Sequence, residues 1–168
     1  MPLLSNYAER KKIRYFIDTI PKEKSILEIG CGSGTLMQYM KSNGWKNYSG
    51  VDLAPPADIV GDIKNWEQIG IQKESFDIII AFEVIEHVDC IRECFDILKP
   101  GGQLLVTTPV PHMDWLCKLL EKIGFNQKRT SPHHCVYFKN IPLFVPKKIK
   151  VIGGMAQWGV FEKSMAFG

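Results

Sequence analysis

The chain alternates short apolar runs with amphipathic stretches, and the period of each stretch predicts its element. From Tyr7 to Ile20 the residues Ile13, Phe16, Ile17 and Ile20 share a helical face and Pro21 ends the pattern, so an amphipathic lead-in helix is expected. Ile26–Ile29 is apolar on both sides of Glu28, as in a strand covered on both faces. A helix through Leu36, Tyr39 and Met40 stops at Asn43-Gly44, and Tyr48–Val51 forms a second strand with Asp52 at its end. Pro55 and Pro56 rule out further pairing there. Residues 58–62 read as a short third strand ending on Asp62, and 63–72 as weakly helical.

Phe76–Phe82 is the most hydrophobic strand and belongs at the centre of a parallel sheet. Val88, Ile91, Phe95 and Leu98 form a stripe on a helix expected over Val84–Lys99, which Pro100-Gly101-Gly102 stops. Gln103–Thr108 reads as a fifth strand and 113–123 as a further helix capped by Gly124. Two tail strands, Lys148–Met155 and Trp158–Ala166, are joined at 157–159, a connection so short that they must pair antiparallel. Repeated strand and helix alternation implies an α/β domain with right-handed crossovers, and 168 residues suit a single domain.

Composition narrows the function classes. At 45% hydrophobic and 23% charged residues the chain is an ordinary globular sequence. No apolar run reaches the ~18 residues of a membrane span. The net charge of +3 is too mild for a nucleic-acid partner, and the K-K-I-K run at 147–150 reads as a solvated strand end. Cysteines at 31, 90, 94, 117 and 135 form no C-x-x-C pair, and no secretory leader is expected. Reduced thiols in a cytoplasmic protein are therefore expected. His87, Cys90 and Cys94 share a helical spacing, but a fourth ligand is missing and buried helix cysteines are common, so no metal is expected.

The candidate chemistry begins at Gly30, Gly32 and Gly34. These make G-C-G-S-G between the first strand and its helix, which is not the G-x-G-x-x-G of pyrophosphate-binding turns. A tight strand-to-helix turn explains the glycines equally well, but Glu28 inside an apolar strand needs a partner, and a cationic ligand group would be one. Asp52, 22 residues after Gly30, stands where an acid accepts hydrogen bonds from ribose hydroxyls, and Asp62 is placed to meet an adenine amino group. An adenosyl cofactor with positive charge fits these acids better than a dinucleotide.

L-E-I-G-C-G-S-G-T, V-D at 51 and 52, G-D-I at 61–63, F-D-I-I-I-A-F-E-V-I-E-H-V at 76–88 and L-K-P-G-G-Q-L-L-V-T-T-P at 98–109 together resemble the class I S-adenosylmethionine-dependent methyltransferases. Within them the small-molecule group that includes the ubiquinone-biosynthesis O-methyltransferases is most similar, over about residues 20–125. The resemblance implies a Rossmann-like, doubly wound seven-stranded sheet in the order 3-2-1-4-5-7-6 with strand 7 antiparallel. It divides the single domain 1–168 into a lead-in helix over 1–21, a cofactor-binding half over 22–108 and an acceptor-side half with the terminal hairpin over 109–168. It also implies S-adenosylmethionine as cofactor, with Gly30, Cys31 and Gly32 on its methionine part and Glu28 supporting its ammonium group. Asp52 is implied on the ribose, Leu53 on the adenine face, and Asp62 with Ile63 on the adenine edge. Phe82, Glu83 and Val84 line the cofactor from the other side.

The acceptor is expected to be a small molecule methylated at oxygen, since no Asn-Pro-Pro-aromatic turn or Pro-Cys nucleophile follows the fourth strand. Glu86-His87 is the best placed proton acceptor, with covering the cofactor as the alternative for His87. His112, His133 and His134 are further candidates for acceptor contact, and Tyr7 and Arg10 for closing over the cofactor carboxylate. A non-catalytic cofactor-binding subunit and a nicotinamide-dependent reductase are the competing functions. A monomer or homodimer is expected.

Overall fold

The structure, a computed structural model, describes residues 10–110, 138 and 141–164. The predicted helix over 113–123 and the candidates Tyr7, His112, His133 and His134 lie outside the described residues. Seven strands are present: β1 Ile26–Ile29, β2 Tyr48–Asp52, β3 Ile59–Val60, β4 Phe76–Phe82, β5 Leu98–Pro109, β6 Phe144–Ile152 and β7 Ala156–Lys163. They form one sheet in the order β3-β2-β1-β4-β5-β7-β6. The first five strands pair in parallel, and β7 runs antiparallel to both β5 and β6.

The period-2 alternation of strand side chains splits the core into two layers. Leu27, Ile29, Ile79, Ala81, Leu104 and Val106 face helix α2 (Ile91–Ile97), which supplies Ile91, Cys94, Phe95 and Ile97. Ile26, Ile78, Ile80, Leu105 and Trp158 face the other way. There they meet Leu36 and Met40 of α1 (Thr35–Ser42) and Phe16, Ile17 and Ile20 of the lead-in helix. Each such fully buried side chain contributes about 1.5–3 kcal/mol relative to exposure, so the strands are held from both faces. The lead-in helix is wound as a π-turn over Ile13–Ile17, which presents Phe16 and Ile17 to the sheet.

Three local expectations are corrected. The helix expected over Val84–Lys99 covers only Ile91–Ile97, because residues 85–87 form a turn, 88–90 are irregular and Leu98 leaves helical geometry to pair with Phe76. Pro100-Gly101-Gly102 therefore lies inside β5 as an irregularity between the pairs Phe76↔Leu98 and Ile78↔Gln103, instead of before it. The terminal hairpin turns at 153–155, where Gly153 and Gly154 take φ values of +56° and +69° that glycine adopts without penalty. Gly159, expected in the turn, sits in β7 opposite Val106 and Ile149, where an added Cβ would meet Phe161 and Phe138 at 2.4 and 2.9 Å and glycine alone fits.

Candidate functional site

The C-terminal ends of β1, β2, β3 and β4 converge on the glycine loop, as expected for ligand sites in open parallel sheets. Gly30 donates its N–H to Val51 O at 2.9 Å, which draws the loop toward β2. Its φ of +73° and the 2.6 Å approach of Val84 Cγ2 to a built Cβ explain why glycine stands there. At Gly32 the situation is reversed: φ is +49° and nothing lies within 4 Å of the Cβ position, so the loop faces open space.

Asp52 ties the loop to the second strand. Its Oδ2 accepts the Gly32 N–H at 2.7 Å and its Oδ1 accepts the Leu53 N–H at 2.7 Å. A carboxylate has about four lone-pair sites, so two remain for a ligand's hydroxyl groups. Gly61 donates to Asp52 O at 2.8 Å, which sets Asp62 beside Asp52. Asp62 Oδ1 accepts the Lys64 N–H at 2.9 Å and caps a short 3-10 turn over Ile63–Asn65. The Ile63 side chain is buried in the core, whereas Leu53 is 73% exposed at the edge of the loop. So large an exposed aliphatic surface beside an open cradle suits a flat apolar ligand face.

Glu28, expected to support a ligand's ammonium group, has a partner within the protein. The buried carboxylate accepts the Tyr48 hydroxyl from the adjacent strand. Burial and the neighbouring Glu28 charge push the Tyr48 phenol far above its ordinary value. The same surroundings act on Cys31, whose buried thiol is pushed up to about 11 by burial and by Glu28 and Asp52. Cys31 is thus a packed neutral thiol, with Sγ 3.0 Å from the Cβ position of Gly50.

On the other side of the loop, β4 ends in Phe82, Glu83 and Val84. Val84 packs under Gly30, and the Phe82 ring lies 5.1 Å from that of Phe16. Glu83 takes a left-handed φ of +58°, a conformation that costs a non-glycine residue roughly 1–2 kcal/mol and so needs anchoring. Lys12 and Thr107 supply the anchor: the ammonium and the hydroxyl donate to Glu83 Oε1 at 2.9 and 2.7 Å. Burial opposes ionisation of Glu83, but Lys12 and these hydrogen bonds outweigh it and hold the carboxyl below its usual value.

Glu86 is the opposite case. It is 2% exposed, and its carboxyl lies against the Glu83 carboxylate and the Thr108 hydroxyl. Burial, and then the Glu83 charge, raise it to about 8, so it is protonated at neutral pH. The adjacent Thr108 hydroxyl is likewise buried and faces the Glu86 carboxyl. His87 is exposed, and its backbone N–H donates to Val84 O at 2.8 Å. The structure therefore separates the Glu86-His87 pair into a buried acid and an exposed imidazole. Lys12, Thr107 and Thr108 were not singled out in the sequence, because only the lead-in helix docking and the β4–β5 pairing bring them here.

His87, Cys90 and Cys94 do not gather into a group of metal-ligating side chains among the described residues. Among those residues no helix is long and apolar enough to cross a membrane.

Comparison with known proteins agrees with this geometry. The sequence profile of a family described as "Methyltransferase domain" matches residues 5–151. The ubiquinone biosynthesis O-methyltransferase of Pseudomonas fluorescens (strain Pf0-1) is 31% identical over 103 residues, covering 51% of this chain and 44% of that protein. That of Pseudomonas putida (strain GB-1) is 30% identical over 104 residues with the same coverage. The matched stretch thus spans less than half the length of these relatives. Among solved structures, an S-adenosylmethionine-dependent methyltransferase from Mesorhizobium loti superposes with a TM-score of 0.65 at 15% identity, covering 93% of this chain and 98% of that one. Geranyl diphosphate C-methyltransferase from Streptomyces coelicolor A3(2), solved with S-adenosyl-L-homocysteine, gives 0.66 at 13% identity, covering 95% and 79%. With the strand order, the glycine loop and the profile in agreement, the chain belongs to the methyltransferase-domain family, in its class I S-adenosylmethionine-dependent branch.

Proposed function

We propose that this protein transfers a methyl group from S-adenosylmethionine to an oxygen atom of a small-molecule acceptor. The observation that carries the cofactor half is the open cradle at Gly32 with Asp52 clamped behind it and Leu53 exposed at its edge. Gly30, Cys31 and Gly32 would hold the methionine part, Asp52 the ribose hydroxyls, and Leu53, Asp62 and the Ile63 backbone the adenine. Glu28, already bonded to Tyr48, acts on the ammonium group through the loop or a water. When bound, the cofactor supplies an electrophilic methyl carbon on a sulfonium, so the protein's task is chiefly to hold the acceptor in line with it.

Phe82, Glu83 and Val84 wall the other side, and the Lys12–Glu83–Thr107 bonds keep that wall fixed. The exposed His87 imidazole serves as proton acceptor for a hydroxyl, while protonated Glu86 stays neutral beneath it. Oxygen as the acceptor atom is supported by the Pseudomonas relatives named as O-methyltransferases. The free cysteines Cys31, Cys90 and Cys94 support a cytoplasmic setting.

Titration calorimetry with S-adenosylhomocysteine tests the cofactor site, and absence of binding at high micromolar ligand refutes it. Incubation with 13C-methyl-labelled cofactor and small-molecule extracts tests the transfer. The carbon shift of the product separates methyl on oxygen from methyl on nitrogen or carbon, and either of the latter refutes the acceptor assignment. Binding without transfer to any fraction would favour the non-catalytic reading instead.

A further inference from the structure

A cleft of about 480 Å³ opens at the N-terminal ends of β4 and β5, the opposite end of the sheet from the glycine loop. Its size falls in the range of small-molecule sites. Phe16, Ile20, Ile78, Leu105 and Val160 give it apolar walls, and Lys24, Lys99 and Lys148 ring it with positive charge.

One carboxylate lines the cleft, and it is already engaged. Asp77 accepts the Ser25 N–H at 2.9 Å, the Ser25 hydroxyl at 2.6 Å, Lys99 at 3.1 Å and Lys24 at 3.5 Å. Burial opposes its ionisation, but the Ser25 hydrogen bonds and the two lysines hold its carboxyl well below the usual range. Lys148 has no such partner among the described residues. Its ammonium lies 4.5 Å from the centroid of the Tyr15 ring, and the ammonium of Lys150 lies 5.7 Å from the same ring. Neither lysine makes an ion pair among the described residues.

Two like charges drawn to one aromatic ring without a counter-ion repel each other, and an anion between them would relieve that repulsion. The strand register places apolar surface next to this point. Lys148 is opposite Val160, and Val160 is opposite Leu105 on the cleft floor.

We propose that the cleft binds an anionic amphiphile, with a carboxylate or phosphate head at Lys148 and Lys150 and an apolar body over Val160, Leu105, Ile20 and Phe16. This site is separate from the methyl-transfer site and stands or falls independently of it.

Titration calorimetry of the full chain with decanoate, decyl phosphate, decanol and inorganic phosphate tests the proposal. One or both amphiphilic anions should bind, and the tighter head names the class. Decanol and inorganic phosphate, each carrying half of the chemistry, should bind at least ~10-fold more weakly. The double substitution Lys148→Glu with Lys150→Glu should weaken binding at least ~10-fold while leaving S-adenosylhomocysteine affinity unchanged. Thr19→Trp, on the exposed rim, fills the cleft without changing its charge and should abolish binding as well. The proposal is overturned if neither anion binds at about 1 mM, if decanol binds as tightly, or if Thr19→Trp leaves the affinity unchanged.

Discussion

Replacing Glu86 with Gln should change how stability depends on pH. In the folded protein this carboxyl is raised from 4.5 to about 8, because it is 2% exposed and faces Glu83. A group whose folded value lies above its unfolded value contributes stability that is fully present below the unfolded value and is lost as pH rises through the folded one. At about 1.4 kcal/mol per pH unit the whole interval corresponds to roughly 5 kcal/mol. Glu83 shares the charge, so a relative loss of about 2–5 kcal/mol between about pH 5 and pH 9 is expected. Gln cannot ionise and keeps the shape, so urea unfolding followed by circular dichroism should give a flatter pH profile for the variant. The two curves should diverge by about 1 kcal/mol or more per pH unit near neutrality. Parallel curves from pH 5 to 9 would refute the reading that Glu86 is a buried acid held neutral beside Glu83.

Further outcomes follow from the same geometry. Asp52→Ala should weaken S-adenosylhomocysteine binding at least ~10-fold by calorimetry, since it removes both the ligand acceptor and the clamp on Gly32. Gly30→Ala, which forces a Cβ to 2.6 Å from Val84 at φ +73°, should cost about 2–4 kcal/mol in chemical denaturation and abolish that binding. Lys163→Ala should destabilise by about 1–3 kcal/mol, because it removes the buried ammonium's bond to Leu98 O at 2.7 Å and its pair with Glu74 at 2.9 Å. His87→Ala should lower turnover with little change in cofactor affinity, and full turnover would reduce His87 to a surface residue.

Ile26–Ile29, Phe76–Phe82 and the glycine loop were legible in the sequence because their signals are local: uninterrupted apolar runs and glycines where φ is positive. The helix boundary at Leu98 was not, since the apolar stripe through Leu98 fits a helix equally well and only pairing with Phe76 decides against it. Glu28 shows the same division inside the site. Its need for a partner could be read from an acid in an apolar strand, but the partner, Tyr48, is set by the parallel register of β1 and β2.

The sequence by itself determined the alternating strands and helices, the positive-φ turn and the acids at strand ends, because backbone preference and hydrophobic period act over a few residues. Tertiary structure alone decided the Lys12–Glu83 pair, the burial of Glu86 beside Glu83 and the cationic cleft under Tyr15. Each of these joins segments far apart in the chain, such as Lys12 with Glu83 or Tyr15 with Lys148. Charge pairing and desolvation depend on which side chains meet across the sheet, and no period along the chain encodes that meeting.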